Sequence, residues 1–507
     1  MNTRTTKSIA LILLGAFFLY FSNGRYSFAM AAWLFPVFFL QVSRREKSIY
    51  SYLVIPLVTG IVCQLAFWKF TYDNPSSILF FLPFILGLPM GFLFFLDKLL
   101  YVRNKGFTAT LIFPLIYTSF DFLLNLFNPF GTLGIVGYSQ FDFLAFTQLA
   151  SITGMWGLTF MITWFGSVTY WVVENYSFKE KLKQGLTIYL SVLILIMFYG
   201  SIRLSMPLVG TTVKIAGIHC QDKRVDGERM NEYLEKKDKV KFKMLSDTLI
   251  NRLIQETVKQ SNAGAKIVVW SEISSKILKQ DEDSLINVFR NLAKQQNIYL
   301  VTTPYTIAPN SSLEFSQNDT EKTTGSGPEL KSENKILFFA PNGDLVLKHY
   351  KYGGNFMEGT VQGDKIIKAV NTEYGNLAAI ICWDGDFPSV VKQVGKLQAD
   401  ILIIPASDWE QIDPAHSIVA IFRGIENGCS VVRQTRNGLS IMTDPTGKVI
   451  SQMDHFRSSS WVTVGQVPNR RWFTLYPIIG DLFGWLAFLG LGYFIAKSLK
   501  KKNMTDR

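Results

Sequence analysis

Histidine and cysteine are both scarce: the 507 residues hold four of each. A cysteine–histidine protease would draw its base from His349, His416 or His455, and none of these sits in a recognisable signature. The cysteines, Cys63, Cys220, Cys382 and Cys429, show neither metal-ligand spacing nor a disulfide framework. Zinc is therefore unsupported, and no cofactor motif is present. No basic run is interleaved with aromatics in a soluble stretch, which argues against nucleic acid as a partner. No small-residue cleavage site follows the apolar run at 8–22, so that run reads as a membrane helix rather than a signal peptide.

Apolar residues are abundant but unevenly spread. The chain is 48% hydrophobic with 41 Phe, and residues 1–206 are dominated by long apolar runs. Membrane helices are predicted at about 8–22, 26–42, 51–69, 78–96, 107–127, 147–173, 185–203 and 478–496. Basic residues mark alternate connections: Arg44, Arg45 and Lys47; Lys98, Arg103 and Lys105; Lys179, Lys181 and Lys183; and the tail from Lys497. The intervening connections carry only Arg25 and Lys69. By the positive-inside rule the N-terminus and the tail are cytoplasmic. The expected organisation is a seven-span bundle over 1–206, an extracytoplasmic domain over 207–475, and a final span with a basic tail over 476–507. The net charge of +12 is partly this topology signal, and the basic tail can also meet anionic lipid headgroups. The predicted spans hold few ionisable residues, Asp121 being the clearest, which argues against a solute path.

The most informative run is Ala378-Ala-Ile-Ile-Cys382-Trp-Asp-Gly-Asp-Phe-Pro388. An apolar strand ends at a cysteine, an Asp-Gly-Asp turn follows, and Pro388 opens a helix. The expectation is an exposed thiol at a sheet edge, with backbone N–H dipoles favouring the thiolate. Lys266-Ile-Val-Val-Trp-Ser-Glu272 is a buried strand running into a carboxylate, which suits a proton acceptor. A strand from Leu345 to Leu347 leads through Lys348 and Lys351 to Glu358. A base, a cation and a nucleophile at strand ends suffice for acyl transfer through a thioester.

These runs resemble the nitrilase or carbon–nitrogen hydrolase superfamily over residues 211–468. The matching pieces are VVWSEIS for the acid Glu272, KHYKYGGNFME for the lysine Lys351 with Glu358 seven residues on, and IICWDGDFP for Cys382. ADILIIPASDW (399–409), RGIENGCSVVRQTRNGLS (423–440) and TDPTGKV (443–449) add to the likeness. Lys348 is the competing lysine. With spans on either side of such a domain, the layout resembles the apolipoprotein N-acyltransferase family. So does 128–164, through Pro129-Phe130, Gly137 to Gln140, Gln148, Gly154 and Gly157. A re-entrant loop that plugs the bundle is the plainer reading of that segment.

The resemblance implies a polytopic α-helical membrane bundle plus an extracytoplasmic α/β domain built as an αββα sandwich. It implies catalysis by Glu272, Lys351 and Cys382, with Glu358, Trp383 and Asp384 binding substrate or supporting the site, and no metal or cofactor. The implied substrates are a phospholipid acyl donor and diacylglyceryl-modified lipoproteins. The pattern departs from the family at three places. Ser271 stands where the family has proline, YGGNFME is one residue short and lacks a proline, and Asp384 stands where the family has Glu. These departures bear on the substrate, so a membrane-tethered amidase using water as acceptor is the alternative. A binding or transport protein with an inactive hydrolase-like domain is the third. The polar stretch 306–334 reads as a surface loop, either a lid or a tolerated insertion.

Overall fold

The computed structural model describes residues 3–22, 26–46, 50–68, 78–207, 210–220, 227–236, 238–308 and 331–505. The chain divides into two compact units: residues 1–207 with 474–507, and residues 208–473.

The first unit is helical. Helices cover Thr3–Tyr20, Ala29–Arg45, Tyr50–Ala66, Leu82–Tyr101, Ile112–Phe127, Met155–Glu174, Lys179–Ser205 and Leu482–Thr505. Four stretches are long and apolar enough to cross a membrane: Leu82–Tyr101, Phe107–Phe127, Lys179–Ser205 and Leu482–Lys500. Thr5–Tyr20 and Tyr52–Ala66 are apolar but shorter. One buried ion pair ties helices of this unit together. Arg44 Nε and Nη2 donate to Asp97 at 2.7 and 2.9 Å, and Nη2 also donates to Ser167 Oγ at 2.9 Å. This joins three helices, and removing one partner of such a buried pair costs about 3–5 kcal/mol. Asp121 accepts from Thr159 Oγ1 at 3.5 Å.

The expectation of one continuous helix over 147–173 is corrected. Two short helices, Leu144–Thr147 and Ala150–Thr153, precede Met155–Glu174. The break falls at Gly154, whose φ of +63° lies outside the helical region. A Cβ there would come within 2.5 Å of the Tyr476 ring. Hydropathy reads only the apolar character of this run and cannot see the break. The segment is anchored by Gln140, which accepts from Trp33 Nε1 at 2.9 Å, and by Gln148, which accepts from Arg203 Nε at 3.1 Å.

The second unit is a two-sheet sandwich. The first sheet contains β1 (Thr212–Ile218), β2 (Ile267–Trp270), β3 (Ser275–Leu278), β4 (Tyr299–Thr302), β5 (Pro304–Ile307), β6 (Glu333–Phe339), β7 (Leu345–Tyr350) and β14 (Val462–Pro468). Its order is β14-β1-β2-β4-β6-β5-β3, with β7 also on β6. The second sheet contains β8 (Ala369–Thr372), β9 (Gly375–Ala379), β10 (Ile401–Ser407), β11 (Ser430–Arg436), β12 (Leu439–Thr443) and β13 (Val449–Asp454), in the order β13-β12-β11-β10-β9-β8.

Strand alternation builds the layers. Ile267 and Val269 face the inter-sheet core with Ile215, Val301, Leu377, Ile401, Ile403 and Val432. Val268 and Trp270 face the other way, against Leu253 of helix Lys239–Asn262 and Phe289 of helix Glu282–Gln296. Helix Ala415–Asn427 packs on β11 and β12 of the second sheet. The unit is thus the expected αββα sandwich. Of the stretch 306–334, Ile307 ends β5 and Glu333 opens β6, while 309–330 lie outside the described residues.

Candidate active site

Three strand ends converge. Glu272 follows β2, Lys351 follows β7, and Cys382 opens a 3₁₀ turn, Cys382–Asp386, after β9. Glu272 Oε1 accepts from Lys351 Nζ at 2.8 Å and from Asn334 Nδ2 at 2.7 Å. Its Oε2 is buried and has no partner among the described residues. Lys351 also donates to Glu358 Oε1. Burial acts to lower the Lys351 ammonium, but the charges of Glu272 and Glu358 outweigh it and hold it well above the ordinary lysine range. Burial, with the Glu272 charge, raises the Glu358 carboxyl against the opposing pull of Lys351. The competing Lys348 points out of β7 into solvent over the Tyr350 ring. The geometry therefore brings Lys351, not Lys348, onto Glu272.

Cys382 differs from expectation. It is 6% exposed rather than open at a sheet edge. Burial and the Glu272 charge push its thiol well above the usual range, against Lys351 and Arg433. The resting group is a thiol, because burial and the nearby carboxylates outweigh the two cations. Its φ of +43° is a left-handed value for a non-glycine residue. Such a stance costs about 1–3 kcal/mol and persists only where the surroundings impose it.

Asp384 is the imposing group. Fully buried, its Oδ1 accepts from Tyr352 N at 2.9 Å and Gly353 N at 2.7 Å. Its Oδ2 accepts from Ile381 N at 2.9 Å and lies 3.0 Å from His349 Nε2. One carboxylate thus ties the cysteine turn to the lysine loop. Gly353 makes the approach possible, since a Cβ there would lie 2.8 Å from the Trp383 carbonyl. Trp383 is itself buried, its ring centred 6.3 Å from Phe356 and 6.2 Å from His416.

A charged group behind the thiol escaped the sequence reading. Cys382 Sγ lies 3.8 Å from Ser407 O and 3.9 Å from Asp408 Oδ1. Arg433 donates to both Asp408 oxygens, at 2.9 and 2.8 Å, and His416 Nδ1 lies 3.2 Å from Asp408 Oδ1. Despite burial, Arg433 and His416 hold Asp408 well below the carboxylate range. Burial pushes the neighbouring Asp386 up to about 6. The one available signal was an arginine inside the apolar run Val431-Val432-Arg433. Asn334 gave none, because the polar stretch before it hides the register of β6. Cys382, Asp408 and His416 bring metal-ligating atoms within 4.8 Å of one another. Both Asp408 oxygens already accept from a guanidinium, so this set does not fit a cation. The remaining histidines, His219 and His455, lie near each other, 5.6 Å between ring centres.

Two family models match this chain. The carbon–nitrogen hydrolase family matches residues 248–470, which include Glu272, Lys351 and Cys382. The apolipoprotein N-acyltransferase N-terminal domain matches residues 15–168. An apolipoprotein N-acyltransferase of Geobacter metallireducens is 23% identical over 434 residues, 79% of this chain and 76% of that one. Apolipoprotein N-acyltransferase 2 of Treponema denticola is 25% identical over 413 residues, 75% and 74% of the two chains. In both of its parts the chain is similar to the apolipoprotein N-acyltransferase family. Among solved structures, an amidase from Nesterenkonia sp. is 14% identical with a TM-score of 0.37, covering 52% of this chain and 92% of its own.

Proposed function

We propose that the protein is an apolipoprotein N-acyltransferase. It moves a fatty acyl chain from a membrane phospholipid to the α-amine of the lipid-modified N-terminal cysteine of lipoproteins. The match over 15–168 carries this reading. The hydrolase unit alone suits a water-using amidase equally well.

Glu272 takes the Cys382 proton through its unpartnered Oε2 as sulfur attacks the ester carbonyl. The oxyanion is held by Lys351 and the backbone N–H of Trp383. Collapse breaks the C–O bond, and Glu272 returns the proton to the departing lysophospholipid, leaving an S-acyl thioester. The lipoprotein amine then attacks, Glu272 accepts a proton from it, and collapse expels the cysteine sulfur, which regains that proton. Glu358 positions Lys351. Asp384 is the support that keeps Cys382 and the lysine loop in register.

The eight long helices described for the first unit all cross the membrane in this reading, and residues 208–473 lie outside the cytoplasm. A reporter active only outside the cytoplasm should work when fused after Val213 and fail after Lys502. Mass spectrometry of lipoprotein N-terminal peptides tests the activity. Cells with the protein should show N-terminal cysteines heavier by one amide-linked acyl chain than cells without it. Identical peptides in both would sink the proposal.

A further inference from the structure

Glu272 sits in a strained segment; its own N–H donates to Ala406 O at 3.2 Å, and a histidine meets the segment on its upstream side. Ile273, the next residue, has φ +52°. A β-branched side chain in the left-handed region costs about 1–3 kcal/mol, so its flanks must be held. Downstream, Ser274 N donates to Thr303 O at 3.2 Å. Upstream, Ser271 N donates to Ile218 O at 3.1 Å. The fully buried Ser271 hydroxyl lies 3.0 Å from His219 Nδ1. His219 is fixed in turn, its N–H donating to Trp461 O at 2.9 Å and its ring 6.0 Å from the Trp461 ring. Burial, with Arg436 and His455, holds His219 well below the usual imidazole range, so it stays neutral and the pairing does not titrate near neutrality.

We infer that His219 is a positioning residue for Glu272, acting through the Ser271 hydroxyl to set where the free carboxylate oxygen points. Lys351 and Asn334 hold only Oε1. The aim of Oε2 therefore depends on the backbone stance at 271–273. Losing the His219–Ser271 contact lets Ile273 relax toward an unstrained φ and turns Oε2 away from the thiol. The role rests on the reading of Glu272 as the base in the proposed function.

The test is a double-mutant cycle on the full-length protein, using His219→Ala, Ser271→Ala, the double variant and His219→Asn. Two readouts are taken. One is alkylation of Cys382 by iodoacetamide, followed by peptide mass spectrometry, which needs no knowledge of the substrate. The other is acyl-enzyme formation from phosphatidylethanolamine vesicles. Each single variant should slow both by about tenfold or more, as expected for a misaimed base. The double variant should be no slower than either single. His219→Asn, which keeps a polar atom near Nδ1, should stay within about threefold of the parent and carries the test if the alanine variants do not fold. Single effects that multiply in the double variant, or an asparagine variant as slow as alanine at an unchanged melting midpoint, would overturn the inference. If the cycle holds for alkylation but no phospholipid acylates the parent protein, the inference stands and the proposed function falls.

Discussion

Cys382 and Cys429 lie in the same unit, both buried, both next to strands of the second sheet. Burial pushes the Cys429 thiol up to about 12, with the Asp400 charge adding to it. Cys382 is pushed up as well, yet it has what Cys429 lacks. Lys351 and Arg433 supply positive charge, Glu272 offers an oxygen without a partner among the described residues, and the backbone is strained at the cysteine itself. Two buried thiols thus differ chiefly in their neighbours. A buried thiol becomes useful when a base can take its proton inside the site and a cation waits for the charge that moves to the carbonyl oxygen.

Exchanging the roles of the two cysteines is the sharpest way to break this comparison. Cys382→Ala and Cys382→Ser should leave no measurable acyl transfer, while Cys429→Ala should stay within about twofold of the parent, as a small buried hydrophobe replaced by another. A folded, membrane-inserted but inactive Cys429→Ala protein would reverse the assignment. The cation comes next. Lys351→Ala should cost about a hundredfold or more in rate, the scale of losing an oxyanion donor, and the solvent-facing Lys348→Ala only a few-fold. Finding the reverse would move the site by three residues.

The smallest effect concerns protonation. Because the Cys382 pKa is raised, its thiolate is scarce at neutral pH and grows as pH rises. Alkylation of Cys382 should still be climbing at about pH 9, beyond the ordinary thiol pKa. A plateau below pH 7 would mean a resting thiolate stabilised by the turn dipoles, as the sequence alone suggested.

That last contrast marks what was legible beforehand. Glu272, Lys351 and Cys382 stood out because each ends an apolar strand, and strand ends are where a sheet delivers side chains to one place. Hydropathy found the helices for a similar reason, since apolar runs are a local property. The break at Gly154 was missed because a glycine's left-handed φ leaves no trace in hydropathy. The burial of Cys382 was missed because what covers it comes from distant segments: Ser407 and Asp408 at the end of β10, and the Lys351 loop tied in by Asp384. Asp408 follows β10, His416 lies on helix Ala415–Asn427 and Arg433 on β11, so only the packed sheet shows that they form one cluster.

The central claim is that Cys382 carries the acyl chain between two lipid substrates. Intact-protein mass spectrometry tests it most directly. Purified protein given phospholipid alone should gain the mass of one fatty acyl chain on Cys382. The adduct should be removed by neutral hydroxylamine and lost when a diacylglyceryl-cysteine peptide is added, and Glu272→Gln should form it slowly or not at all. An unmodified Cys382 after prolonged exposure to several phospholipids would contradict the account.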